Sequence, residues 1–147
     1  MAAIPLGSNV VKRPGTYLVK IQTDPKVYAV EPYGVLRWIT TEALAASLYG
    51  ADWASKVVDV EPTFFINYQV GSPITTKVHP TGAIFSYVGD SKVYYVEKGV
   101  KRYIPPDVFI NNKFENKFII RNLDPTIVYP SGADLSVMSM DQIMTLR

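Results

Sequence analysis

The sequence predicts a mainly β, β-rich α+β fold with short helices, built as two tandem β-β-β-α-β repeats packed together. Three observations carry that prediction. The chain repeats itself at an offset near 66 residues, each copy alternates β-branched and aromatic runs with Asp, Pro and Gly turns, and one short helical stretch occurs in each copy.

The repeat is legible residue by residue. Lys26-Val27-Tyr28-Ala29-Val30-Glu31 returns as Lys92-Val93-Tyr94-Tyr95-Val96-Glu97 at an offset of 66. Gly34, Arg37, Trp38 and Ile39 are answered at an offset of 65 by Gly99, Arg102, Tyr103 and Ile104. Trp53, Val57, Val58, Ile66, Tyr68, Gly71 and Ile74 are answered at an offset of 61 by Phe114, Phe118, Ile119, Ile127, Tyr129, Gly132 and Leu135. The last change of register falls across the helical stretch and measures four residues, close to one turn. A helix shortened by one turn in the second copy is therefore expected.

In the first copy, residues 17–21 and 26–30 read as strands parted by Gln22-Thr23-Asp24-Pro25, a hairpin signal. Glu31-Pro32-Tyr33-Gly34 makes a second turn, and residues 35–39 read as a third strand. Thr41 starts a helix that Gly50 stops, and residues 56–60 form a fourth strand. On the second strand Val27, Ala29 and Glu31 share one face and Lys26, Tyr28 and Val30 the other, so apolar residues on both faces predict a central strand. The second copy repeats this order from Ala83, with residues 106–110 as its helix. The expected organisation is an extended arm at 1–14, repeat one at 15–74, a linker at 75–81, repeat two at 82–135 and a tail at 136–147. At about 60 residues, each repeat is close to the smallest independent core, so the two are expected to bury surface against each other.

The motifs at residues 15–20, 26–30, 37–39, 48–53, 57–60 and 68–71 give the pattern Gly-Thr-x-Leu-Val-Lys, Lys-Val-Tyr-x-Val, Arg-Trp-Ile, Leu-Tyr-Gly-x-x-Trp, Val-Val-x-Val and Tyr-x-x-Gly. This resembles tandem repeats of roughly 60 residues found in secreted and surface-attached bacterial proteins. Copy two departs from it, with Tyr103 and Phe114 in place of the two tryptophans and no Leu-Tyr-Gly. The resemblance implies an extracellular, noncatalytic role and no catalytic residue.

Composition narrows the chemistry. Among 147 residues, Lys+Arg 15 against Asp+Glu 13 gives a net charge of +2, with basic residues scattered along the chain, so no nucleic-acid partner is indicated. There is no cysteine and one histidine, which excludes disulfides, thiolate metal sites and any site needing two imidazoles. Residues 1–5 meet a proline too soon to read as a signal-peptide core, and no apolar run is long enough for a membrane span. His79, in Val78-His79-Pro80-Thr81-Gly82, reads as an exposed linker histidine. Glu31 and Glu97, like Asp24 and Asp90, occupy equivalent repeat positions, which predicts two similar turns rather than a convergent catalytic pair. No clustered acids of an EF-hand type occur, and neither a metal nor a cofactor is implied.

Aromatic residues are the strongest binding signal: ten Tyr, six Phe and two Trp. Trp38 and Trp53 are expected to be buried core residues. Tyr33 stands at a turn tip where copy two has no aromatic, and Arg37 and Arg102 recur in positions suited to a carboxylate or an aromatic face. These three are the candidate ligand-binding residues. Ile4, Leu6, Val10 and Val11 are candidate subunit contacts, because their arm has no counterpart in copy two. The expectation is a noncatalytic extracellular or surface module that binds a cell-wall polymer, glycan or protein. The alternatives are a structural subunit of a filament, surface layer or virion shell that uses the arm for subunit contacts, and a carbohydrate-active enzyme using two carboxylates; the partners expected are a protein or a cell-wall or glycan polymer, with a homo-oligomer formed through the arm.

Overall fold

A computed structural model describes residues 12–121, 124 and 126–136. The candidate contacts Ile4, Leu6, Val10 and Val11 lie outside the described residues. In repeat one the strands are β1 (Leu18–Lys20), β2 (Tyr28–Glu31), β3 (Val35–Trp38), β4 (Val57–Asp59) and β5 (Gln69–Val70). They form one sheet in the order β4-β1-β2-β3-β5, antiparallel across β1, β2 and β3 and parallel at both edges. β2 is central, as its two apolar faces require. The turns form where short-range chemistry demands them: the Asp24 carboxylate accepts the Lys26 N–H at 3.0 Å, and Tyr33 (φ 69°) and Gly34 (φ 70°) together take the left-handed conformation that reverses the chain.

Helix α1 (Glu42–Tyr49) follows β3. The Thr41 hydroxyl caps it by accepting the Leu44 N–H at 3.1 Å, and Gly50 ends it at φ 96°, donating its N–H to the Ala46 carbonyl. The sheet then continues through β4, a single helical turn α2 (Pro62–Phe65) and β5. The last two elements extend the expected β-β-β-α-β unit.

Repeat two has the same plan. Strands β6 (Ile84–Phe85), β7 (Tyr94–Glu97) and β8 (Val100–Tyr103) form a three-stranded sheet, followed by helix α3 (Pro106–Asn111). Single parallel bridges, Phe85 with Ile120 and Lys101 with Ser131, stand where repeat one has β4 and β5. The pairings correspond: Val19 opposite Tyr28 and Phe85 opposite Tyr94, then Tyr28 opposite Trp38 and Tyr94 opposite Tyr103. Gly71 donates to the Leu36 carbonyl and Gly132 to that of Lys101, both at 2.8 Å. The expected loss of one whole turn is corrected in detail. α3 has six residues against eight in α1, and the bridge to Phe85 is made by Ile120 where the sequence repeat aligned Ile119 with Val58. The shortening is divided between the helix and the chain after it.

Among the described residues, three apolar clusters hold the fold together. The largest joins the helix side of sheet one (Leu18, Ala29, Ile39, Leu44, Leu48) to Phe85, Val96, Ile120 and Tyr129 of repeat two. The other two lie mainly within single repeats, around Leu36 in one and Tyr95 in the other, with Tyr17 of repeat one reaching into the second. Among the described residues no helix is long and apolar enough to cross a membrane.

Candidate functional site

The structure places both tryptophans where the sequence did not. Trp38 and Trp53 are partly exposed, and both line a cleft of about 330 Å³ where β3 hands over to α1. Trp38 is the last residue of β3, and Trp53 opens the 3-10 turn Trp53–Lys56 after α1. Ala45 contributes to the wall between them, because α1 begins at the Thr41 cap and presents its first turn to the cleft. The expectation of burial failed for a packing reason. Each ring packs in part against a core cluster, Trp53 on one and Trp38 on another, while the small side chain of Ala45 leaves the space beside them unfilled.

Opposite charges stand at this cleft. The Lys26 ammonium lies 5.3 Å from the centre of the Trp38 ring, in cation–π range. The Glu42 carboxylate, exposed in the first turn of α1, makes no hydrogen bond or ion pair among the described residues. The hydroxyls of Thr40 and Thr41 are already engaged, one donating to the Ile74 carbonyl and the other accepting from Leu44. The cleft thus offers aromatic surface with a donor and an acceptor of opposite sign.

The sequence-derived candidates lie elsewhere. Tyr33 is 76% exposed at the β2–β3 turn. Arg37 donates to the Glu31 carboxylate at 3.5 Å and to the Ser72 carbonyl at 3.0 Å; Arg102 donates to the Glu97 carboxylate at 2.7 Å and to the Ala133 and Asp134 carbonyls. The two arginines therefore fasten equivalent strands to the chain beyond them, one in each repeat. None of the three lines the cleft.

His79 corrects a second expectation. It is 2% exposed, with Nδ1 2.5 Å from the Tyr129 hydroxyl and Nε2 2.6 Å from the Leu48 carbonyl. Because a carbonyl only accepts, Nε2 carries the proton and Nδ1 accepts from Tyr129, whose oxygen in turn accepts the backbone N–H of His79 at 2.8 Å. Burial pushes the imidazole pKa down to about 4; the Leu48 bond opposes this and the Lys56 charge adds to it. This histidine is a structural bolt between the repeats. Burial also raises Tyr49, which packs edge-on against the imidazole, and takes Tyr95 up to about 12.

Comparison with protein-family models, with curated proteins and with solved structures found no match. The site is therefore read from its own geometry. Among the described residues no three His, Asp or Glu side chains gather as a metal site would need. What the cleft can do chemically is stack a ring and exchange hydrogen bonds with it. Sequence reasoning missed it because Trp38 recurs as Tyr103, which read as core packing. The signal that could have found it is the small residue, Ala45, in a helix flanked by two tryptophans.

Proposed function

We propose that this chain is a noncatalytic binding module that holds a glycan in the cleft between Trp38 and Trp53, in an extracellular or cell-surface setting. The observation that carries the proposal is the cleft itself, which both tryptophans of the chain line while partly exposed. Pyranose rings have an apolar face that stacks on indole, and their hydroxyls both donate and accept, which suits a rim holding the Lys26 ammonium and the Glu42 carboxylate. Its volume, at the lower end of the roughly 300–1,000 Å³ of ligand pockets, suits one or two sugar rings.

The groups best suited to catalysis are committed to structure, which supports the noncatalytic reading. His79 is enclosed by Tyr129 and Leu48, and Glu31 and Glu97 are each held by an arginine of their own repeat. The extracellular or surface setting is carried over from the motif resemblance expected from the sequence and is part of the proposal.

Since the chain has two tryptophans and both line the cleft, intrinsic fluorescence reports directly on its occupancy. Titration with uncharged soluble hexasaccharides should shift and saturate the emission. Unchanged emission with every sugar, together with no binding heat, would end the proposal.

A further inference from the structure

We infer that Ala45 makes repeat one the binding repeat, that Phe109 plugs the equivalent cleft of repeat two, and that the chain is consequently monovalent for a six-membered ring with an apolar face. This inference rests on the glycan-binding reading above and deepens it. Its basis is a comparison of the two repeats inside one molecule.

The two helices align from their first hydrogen bonds: the Ala45 N–H donates to the Thr41 carbonyl at 3.1 Å, and the Phe109 N–H to that of Pro105 at 2.9 Å. Ala45 and Phe109 are therefore structural counterparts, each four residues past its N-cap. Around them the other parts correspond. Tyr103 holds the strand position of Trp38, and the Lys92 ammonium lies 5.7 Å from its ring as Lys26 lies 5.3 Å from Trp38. Phe114 is the sequence counterpart of Trp53.

In repeat two the place of the cleft is taken. The Phe109 ring packs on Phe114 with centroids 5.7 Å apart and planes inclined at 38°. The guanidinium of Arg13, anchored on the Asn112 and Lys113 carbonyls, lies 4.9 Å from the Phe114 ring as a further cover. A side chain of this same protein thus shows what shape the site accepts: a six-membered ring, packed at a tilt against the aromatic that follows the helix. Where repeat one has a methyl group, that ring must come from outside. A pyranose fits better than an aromatic side chain, because its hydroxyls can bond both the Glu42 carboxylate and the Lys26 ammonium, the latter held otherwise, among the described residues, only by a 4.0 Å ion pair with Asp24 and the Trp38 ring, while a hydrocarbon ring can do neither.

The test measures stoichiometry by calorimetry with the hexasaccharides of β-1,4-linked glucose, mannose and N-acetylglucosamine, on the whole chain. Wild type should bind one of them at one site per chain. Ala45→Phe should weaken that binding at least tenfold, and Phe109→Ala should add a second site. Ala45→Leu and Phe109→Leu, gentler changes in volume, serve where the first pair lowers the folded fraction, and should move binding in the same directions. Wild-type binding with one site in both Phe109 variants and unchanged affinity in both Ala45 variants would overturn the inference while leaving the glycan reading intact. Silence of the wild type toward all three sugars would overturn the glycan reading itself. Tighter binding of N-acetyltryptophanamide than of any sugar would keep the cleft and overturn the pyranose assignment.

Discussion

The imidazole of His79 and the hydroxyl of Tyr129 meet at 2.5 Å inside the largest apolar cluster, fifty residues apart in sequence and closed off from water. The pair occupies a place that repeat one also uses: the Lys12 N–H donates to the Tyr68 hydroxyl at 2.8 Å, just as the His79 N–H does to Tyr129. In repeat two that contact is extended by a side chain that reaches the end of α1. The bond network fits a neutral imidazole, because a proton on Nδ1 would remove the acceptor of the Tyr129 O–H and leave that buried donor to be turned elsewhere.

Stability should therefore fall in mild acid. The folded pKa of about 4 lies below the ordinary value of 6.5, so the unfolded chain binds this proton first. The histidine contribution is fully present above pH 6.5 and is lost as pH drops toward 4, by roughly 3 kcal/mol. Urea unfolding at pH 7.5, 5.5 and 4.5 measures the slope, and His79→Gln should flatten it above pH 4.5 while lowering stability at pH 7.5.

Gly15 and Gly82 bring the backbone at the start of each repeat into close approach. A Cβ on Gly15 would lie 1.9 Å from the Gly82 carbonyl oxygen, and one on Gly82 would lie 2.3 Å from Pro14 Cβ. Both residues also have positive φ. Gly15→Ala should cost about 3 kcal/mol or more, because backbone must move. Gly89→Ala, at φ 81° with nothing within 4 Å, should cost only about 1 kcal/mol from the backbone conformation. Thermal melts of the two variants compare them under identical conditions.

The tryptophans should prove less important to stability than buried ones. Truncating a buried Trp to Ala costs about 3–5 kcal/mol, whereas Trp38→Ala and Trp53→Ala, with part of each ring already in water, should each cost about 1–2 kcal/mol. Loss of a full 4 kcal/mol in either variant would mean that the cleft is closed in solution. Calorimetric unfolding gives the values directly.

Arg37 and Arg102 should act through their carbonyl bonds more than through their charge pairs. Both pairs are partly exposed, and such pairs contribute roughly 0.2–1 kcal/mol. A double-mutant cycle between Arg102 and Glu97 should return a coupling below about 1 kcal/mol. Arg102→Lys, which loses the fork that spans Glu97, Ala133 and Asp134, should nonetheless be destabilised by about 1 kcal/mol.

The sequence by itself determined the order of elements, the duplication of the plan and the turns, because each depends on residues close along the chain. Asp24 and Asp90 close their turns on Lys26 and Lys92, Gly34 and Gly99 take the left-handed conformation, and Thr41 and Gly50 bound α1, all within a few residues. Tertiary structure alone decided which of these similar residues would meet water. His79 looks like a linker residue until Leu48 and Tyr129 enclose it, and Trp38 looks like core until Ala45 fails to fill the space beside it. The match of Ala45 with Phe109 was likewise hidden, since it follows from where each helix makes its first hydrogen bond rather than from residue likeness. Burial is a property of packing between distant segments, and a repeated pattern constrains the backbone of two copies equally while leaving their neighbours different.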